Sequence, residues 1–355
     1  MRRILAPLFA AGTSLLVLAA PAAACGGLIG PNGAVNLLRT TTFAGYHGGV
    51  EHYVTAFAFA GGGGAFGSIT PLPGIPTDVV RGGDWTLQRL VRETDPPLEF
   101  FAAQAAGGDL SLRDAAEVLL ETRIDALDIT ILRGGGDQVG QWAKDHGFRL
   151  PPDAPEVLDF YASRSPIFMA AAFDAEAAAA SGQGVGDGTP VHLTIPTDNP
   201  WVPLRILGLG KADAERVEAD VYLLTDDRPA LLPAPGHLIA NSGLTLDHSA
   251  AATDSLLADL RSDKGMEWIP EEAWLTKVVI DAAAPELTFD LAIDASGAGR
   301  PSEIDAGFAP IGPTPAPTSP VPYLLLAAAA LVVLVPLGID RLGRRAIGSG
   351  PLRPA

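Results

Sequence analysis

The stretch that decides the fold is Val50-Glu51-His52-Tyr53-Val54-Thr55-Ala56-Phe57-Ala58-Phe59-Ala60. Tyr53, Thr55, Phe57 and Phe59 fall at every second position, the period of a strand with one buried face, and their aromatic and β-branched side chains favour that state. Upstream, Val35 to Phe43 is a second extended run, joined to the first across Gly45, Gly48 and Gly49. The pair reads as a β-hairpin. Downstream, Gly61 to Gly64 breaks the chain. Ile69 to Pro76 then reads as a rigid extended loop or edge segment, because its three prolines remove ladder donors.

The same reading extends along the chain. Leu120 to Leu132 ends in the strand Asp128 to Leu132 and stops at Gly134-Gly135-Gly136; Asp137 then caps a helix over Gln138 to His146, ended by Gly147. Ala154 to Tyr161 is a second short helix. Strands are expected at Ile167 to Phe173, Val191 to Ile195, Val202 to Leu209 and Val217 to Leu224, with Ala175 to Gly188 as a surface excursion. Ser249 to Arg261 reads as the last helix, and Leu275 to Ile280 with Leu287 to Ile293 as a closing strand pair. The expectation is an α+β fold, mostly antiparallel strands with a few short helices, in one or two subdomains across residues 25–308, plus one C-terminal transmembrane helix.

Both ends differ from this middle. Met1-Arg2-Arg3, an apolar run from Leu8 to Ala20 and the small residues Pro21-Ala22-Ala23-Ala24 have the layout of a secretory signal peptide over residues 1–24, processed between Ala24 and Cys25. Residues 309–320 are rich in proline and threonine and favour an extended stalk. Val321 to Ile339 is 19 uncharged residues long, close to the about 20 that cross a bilayer as a helix. Arg341, Arg344, Arg345 and Arg353 follow, which puts the tail, residues 340–355, in the cytoplasm.

This layout explains an odd composition. The chain is 48% hydrophobic yet carries a formal net charge of −17. The apolar excess comes largely from the two terminal runs, both bordered by arginines, so the acidity belongs to the domain between them. With 24 basic residues against 41 acidic ones, a nucleic-acid partner is excluded.

Motifs for chemistry are sparse. No Gly-x-Ser-x-Gly elbow is present, and the single cysteine rules out an internal disulfide framework or a Cys-rich metal site. Cys25 is either the acylated residue of a lipoprotein or a free or mixed-disulfide thiol. The thiol reading is preferred, because Ala22 stands where a large aliphatic residue belongs and a second anchor would be redundant. The six histidines, His47, His52, His146, His192, His237 and His248, are scattered; Glu51-His52, Asp145-His146 and Asp247-His248 are the adjacent carboxylate pairs. Gly182 to Gly188 lacks the dinucleotide spacing, and the acidic stretches Asp259 to Glu272 and Asp294 to Asp305 do not fit a calcium loop. No catalytic, cofactor-binding or metal-binding residue is assigned.

Several fragments in order resemble one bacterial family, DUF2330. They are Ala24-Cys25-Gly26-Gly27, Pro71-Leu72-Pro73-Gly74-Ile75-Pro76, Trp142 to Pro151, Leu193 to Pro200 with Val202-Pro203-Leu204-Arg205, and Leu275-Thr276-Lys277. Members often carry a second Cys five residues after the first, where this chain has Gly30. The resemblance implies a signal peptide and, in many members, a C-terminal anchor, and brings no activity. The expectation is a single-pass bacterial cell-surface protein. Its ectodomain lies outside and binds or scaffolds an envelope protein or glycan without catalysis or cofactor. The alternatives are an extracytoplasmic enzyme acting on envelope material and a subunit of a membrane complex. A pocket collecting two or more of His47, His52, Asp198, Arg205 and Asp247 would favour the enzyme.

Overall fold

The computed structural model describes residues 22–23, 27–30, 33–34, 39–58, 66–95, 117–180, 182, 188–237 and 242–308. All of them belong to one compact unit that ends at Pro310. Ala24, Cys25, the expected stalk 309–320, the apolar segment 321–339 and the tail 340–355 lie outside the described residues. Among those described, no helix is long and apolar enough to cross a membrane.

The hairpin expected from the deciding stretch is the centre of the larger sheet. Arg39–His47 and Val50–Ala58 pair antiparallel across Gly48 and Gly49, whose φ of 59° and 82° supply the left-handed turn that glycine adopts most cheaply. Gly45, expected in the connection, is instead inside the first strand. The sheet runs Leu244–Ala251, Trp274–Ala283, Arg216–Thr225, Arg39–His47, Val50–Ala58, Gly188–Pro196 and Asp78–Arg81, with Ala22–Ala23 also paired to Arg39–His47. Two pairings, Arg39–His47 with Ala22–Ala23 and with Arg216–Thr225, are parallel.

A second sheet runs Gly33–Ala34, Gly27–Gly30, Phe66–Pro71, Ile167–Phe173, Leu127–Arg133 and Glu117–Ile124. A third, Trp201–Val202, Leu291–Asp294 and Ala230–Leu232, is short. One apolar core joins all three: Tyr53, Val191, Val221 and Ile280 from the first, Ile69's neighbours Phe66 and Leu72 with Ile131 and Met169 from the second, and Val202 and Leu291 from the third. Helices cover the outer faces. Thr86–Thr94 and Asp254–Ser262 pack Leu87, Leu90, Leu256, Leu257 and Leu260 onto Phe43, Val54 and Tyr222 of the first sheet. Gly136–Asp145 and Ala154–Ala162 pack Val139, Trp142, Leu158 and Tyr161 onto Ile69, Leu132 and Phe168 of the second. Each such fully buried aliphatic side chain contributes roughly 1.5–3 kcal/mol relative to exposure.

The α+β class with few helices holds, and several local expectations are corrected. Ile69 to Pro71 is not a loop or edge; it ends the central strand Phe66–Pro71, flanked by Gly27–Gly30 and Ile167–Phe173. Val202 to Leu209 is not a strand: after Trp201–Val202 it turns into the 3₁₀ helix Arg205–Gly208. Leu244–Ala251 is a strand where the helix had been expected to begin, and the helix starts after Thr253, whose hydroxyl accepts from the Leu256 N–H. Asp137 lies inside its helix; the Gln138 amide oxygen reaches back to the Gly135 N–H instead. The closing pair is split, Trp274–Ala283 joining the first sheet and Leu291–Asp294 the third.

Candidate functional site

Three of the motif segments converge at the hairpin turn. Tyr46 and Glu51 face each other across Arg39–His47 and Val50–Ala58, and Glu51 also faces Ile195 on Gly188–Pro196. The Tyr46 hydroxyl donates to the Thr197 carbonyl at 3.0 Å, and the Thr197 N–H donates to the Gly49 carbonyl at 3.1 Å. Gly74 of the proline-rich segment lies against this strand end: a Cβ there would sit 3.0 Å from the Pro196 carbonyl oxygen. The segments around Pro71, Pro196 and Trp201 therefore close over one corner.

Glu51 is the unusual group in that corner. Strand alternation turns it, like Tyr53, toward the core between the sheets, and it is 0% exposed. Burial pushes its carboxyl up to about 8; the Trp201 backbone opposes that shift. The help falls short of hydrogen-bond geometry, since neither carboxyl oxygen has a partner. At neutral pH Glu51 is therefore a protonated, buried acid. Burial likewise raises Tyr46, reinforced by Asp198, Glu51, Asp226 and Asp294, so its phenol also keeps its proton. At neutral pH neither group carries a negative charge. Outside them the corner presents an acidic rim of Asp198, Asp226 and Asp294.

Of the candidate side chains named from the sequence, His52 meets His192, Asp198 and His47's partner Asp226 share the rim around Tyr46, and Arg205 and Asp247 are held elsewhere. His47 Nδ1 meets Asp226 at 2.6 Å on the exposed side of the hairpin. His52 Nδ1 lies 3.0 Å from His192 Nε2, on the opposite face of the sheet from Glu51. Arg205 pairs with Glu156 above the Phe160 ring. Asp247 sits where the Leu244–Ala251 ladder shifts register, 2.9 Å from Lys277. His146 stacks on Trp142, and Asp145 takes the Gln141 amide. Each is held by a different neighbour.

The groups most deeply committed were not singled out by sequence reasoning. Asp290, 0% exposed, accepts from the Tyr161 hydroxyl, the Leu204 and Arg205 amides and the Arg164 guanidinium. Asp263 accepts from the Asp84 and Trp85 amides and the Thr86 hydroxyl, so it anchors the entry to Thr86–Thr94 from another part of the chain. Lys277, 3% exposed, is bonded to Asp95 at 2.7 Å as well as to Asp247. Burial works against its charge, but the two carboxylates hold its ammonium above the ordinary lysine range. For Asp290 and Lys277 the signal was a lone charge in an apolar setting, such as Lys277 in Leu275 to Ile280; Asp263, between Ser262 and Lys264, carried no such signal. Among the described residues, no group of three or more His, Cys, Asp or Glu is placed to hold a metal ion.

The model of a family described as an uncharacterized protein conserved in bacteria, DUF2330, matches residues 19–293. No curated protein matches the sequence. Among solved structures, the chain is similar to baculovirus P35, with a TM-score of 0.39 at 9% identity over 72% of this chain and 96% of that one. A mutated baculovirus P35 after caspase cleavage gives a TM-score of 0.37 at 9% identity, over 72% and 98% of the two chains. These likenesses are too loose to carry a function.

Proposed function

Because the chain belongs to the bacterial DUF2330 family, which brings no activity with it, we propose from its own residues that it is a membrane-anchored extracytoplasmic protein. Its folded domain binds or scaffolds a protein or glycan of the envelope without catalysis. The observation that supports this most directly is the way the charged side chains of the domain are used. His47 with Asp226, Arg205 with Glu156, Lys277 with Asp95 and Asp247, and Asp290 with Arg164 and Tyr161 each tie one structural element to another, and the buried acid Glu51 lies beside Tyr46, whose phenol keeps its proton. A catalytic site needs such groups converging on one reacting atom. Here they stiffen a four-layer scaffold instead.

The anchoring part rests on the sequence ends. A signal-like start, a proline-rich spacer, an apolar segment of bilayer length and a basic tail support a domain outside and a C-terminus in the cytoplasm. The acidic rim around Tyr46 favours a partner surface with basic groups and disfavours nucleic acid. Affinity capture from detergent-solubilised envelope tests the binding role. A protein or glycan retained by the wild type, and released at raised salt, supports it; recovery of nothing beyond the bait contradicts it.

A further inference from the structure

The face of the larger sheet opposite Glu51 carries a second constellation, and Trp268 closes it. Three neighbouring strands supply the seat: Gly45, His52 directly across from it, and His192 on the next strand. The indole lies parallel to the His52 ring, 3.8 Å between centroids at 2°, and 5.8 Å from that of His192. Gly45 leaves the floor open for it: a Cβ there would fall 2.2 Å from the indole Cη2. The indole N–H is buried with no acceptor, so stacking and burial alone hold the ring.

Beneath the lid, His52 Nδ1 and His192 Nε2 share one hydrogen bond at 3.0 Å. That bond needs one nitrogen with a proton and one without. A first added proton leaves this arrangement possible, and the indole face attracts the charge. A second puts a proton on both facing nitrogens, breaks the bond and sets two like charges side by side out of water. Titratable groups face the pair from each neighbouring element: His47 from the hairpin, itself held by Asp226, Asp78 from the edge strand, and Glu267 from the loop that carries Trp268. None forms an ion pair with either imidazole that would hold the added charge in place.

We propose that Trp268 is an acid-released lid, seated while the His52–His192 pair is neutral and displaced when the pair becomes doubly protonated, uncovering a glycine-floored aromatic slot. The direction follows from the environment. Burial, aided by the neighbouring imidazoles, holds His52 down to about 3, and burial holds His192 down to about 4 against Asp78, the Gly265 backbone and Glu267. Groups lowered this way favour the seated state fully above the free-histidine value of 6.5, and progressively less as pH falls below it. The motion is confined, because Asp263, Met266 and Ile269 of the same loop stay pinned by hydrogen bonds or burial.

Acrylamide quenching of the full chain tests this, with the Trp268 contribution taken as the difference from a Trp268→Phe variant. From about pH 8 to about pH 4, Trp268 accessibility should rise several-fold while far-UV circular dichroism holds constant, and His192→Gln should flatten the rise. Three outcomes overturn the proposal: a pH-independent wild type, a rise that tracks loss of secondary structure, or an unchanged rise in both His52→Gln and His192→Gln. The wild-type titration decides the matter even where a variant folds poorly.

Discussion

Arg164 and Asp290 form an ion pair at 2.8 Å with 3% and 0% of their side chains exposed. Such a pair survives burial only if the remaining lone pairs are satisfied. The carboxylate is satisfied by the Tyr161 hydroxyl and the amides of Leu204 and Arg205, and the Tyr161 oxygen in turn accepts from the Ile206 N–H; Nε and Nη1 of Arg164 have no acceptor among the described residues, and the guanidinium lies 3.4 Å over the Phe160 ring instead. The carboxylate thus ties the helix Ala154–Ala162 to the start of the 3₁₀ helix Arg205–Gly208. Asp290→Ala strands the guanidinium and three donors and should cost about 3–5 kcal/mol. Denaturant titration checks it, and a loss under about 1 kcal/mol would show the network to be incidental.

Glu51 sets a pH dependence of opposite sense to the usual carboxylate. Its folded value of about 8 lies above the ordinary 4.5, so the folded chain keeps a proton the unfolded chain has lost. Stability therefore falls as pH rises from 4.5 through about 8, by on the order of 1.4 kcal/mol per unit, and levels off outside that window. Glu51→Gln should remove this component. Identical pH–stability slopes in the two proteins would contradict the assignment.

Asp263 holds the entry to a helix that has no side-chain cap of its own at Trp85. Asp263→Ala leaves the Asp84 and Trp85 amides and the Thr86 hydroxyl without their acceptor, and should destabilise by about 1–3 kcal/mol. The loss should be local first, seen as faster hydrogen exchange across Thr86–Thr94 than across Asp254–Ser262. Equal protection of both helices in the variant would argue against that anchor.

Gly45→Ala places a methyl where the indole of Trp268 rests. At neutral pH the variant should show the quenchable Trp268 that the wild type shows only in acid. A variant as protected as the wild type would mean that the seat reshapes instead.

How much of this was legible follows from where each signal resides. The period-two run of aromatic and β-branched residues placed the central hairpin because it is a local signal; that the alternate face is buried too, at Val54 beneath the helices, depends on elements far along the chain. Pro71 misled: the Leu72 N–H bonds the Ile167 carbonyl, so the Pro71 nitrogen faces the other neighbour, Gly27–Gly30, whose pairing has already ended at Ile69 and asks for no donor. Val202 to Leu209 is apolar enough for a strand, but the Asp290 carboxylate, far along the chain, captures the Leu204 and Arg205 amides and starts a 3₁₀ turn. The site was less legible still. Glu51 and His52 are adjacent in sequence, yet the pleat sends one into the core and the other beneath Trp268, and only the packing of distant elements decides that one stays unpaired while the other meets His192.

The central claim is that an acidic folded domain stands outside the membrane on a C-terminal anchor. Protease added to intact spheroplasts producing the full chain tests it most directly. Cleavage should fall within residues 309–320, with release of a soluble fragment containing residues 39–308 and retention of a short membrane-bound C-terminal piece. A chain that stays whole until the membrane is dissolved, or that washes from membranes intact at high salt, would contradict it.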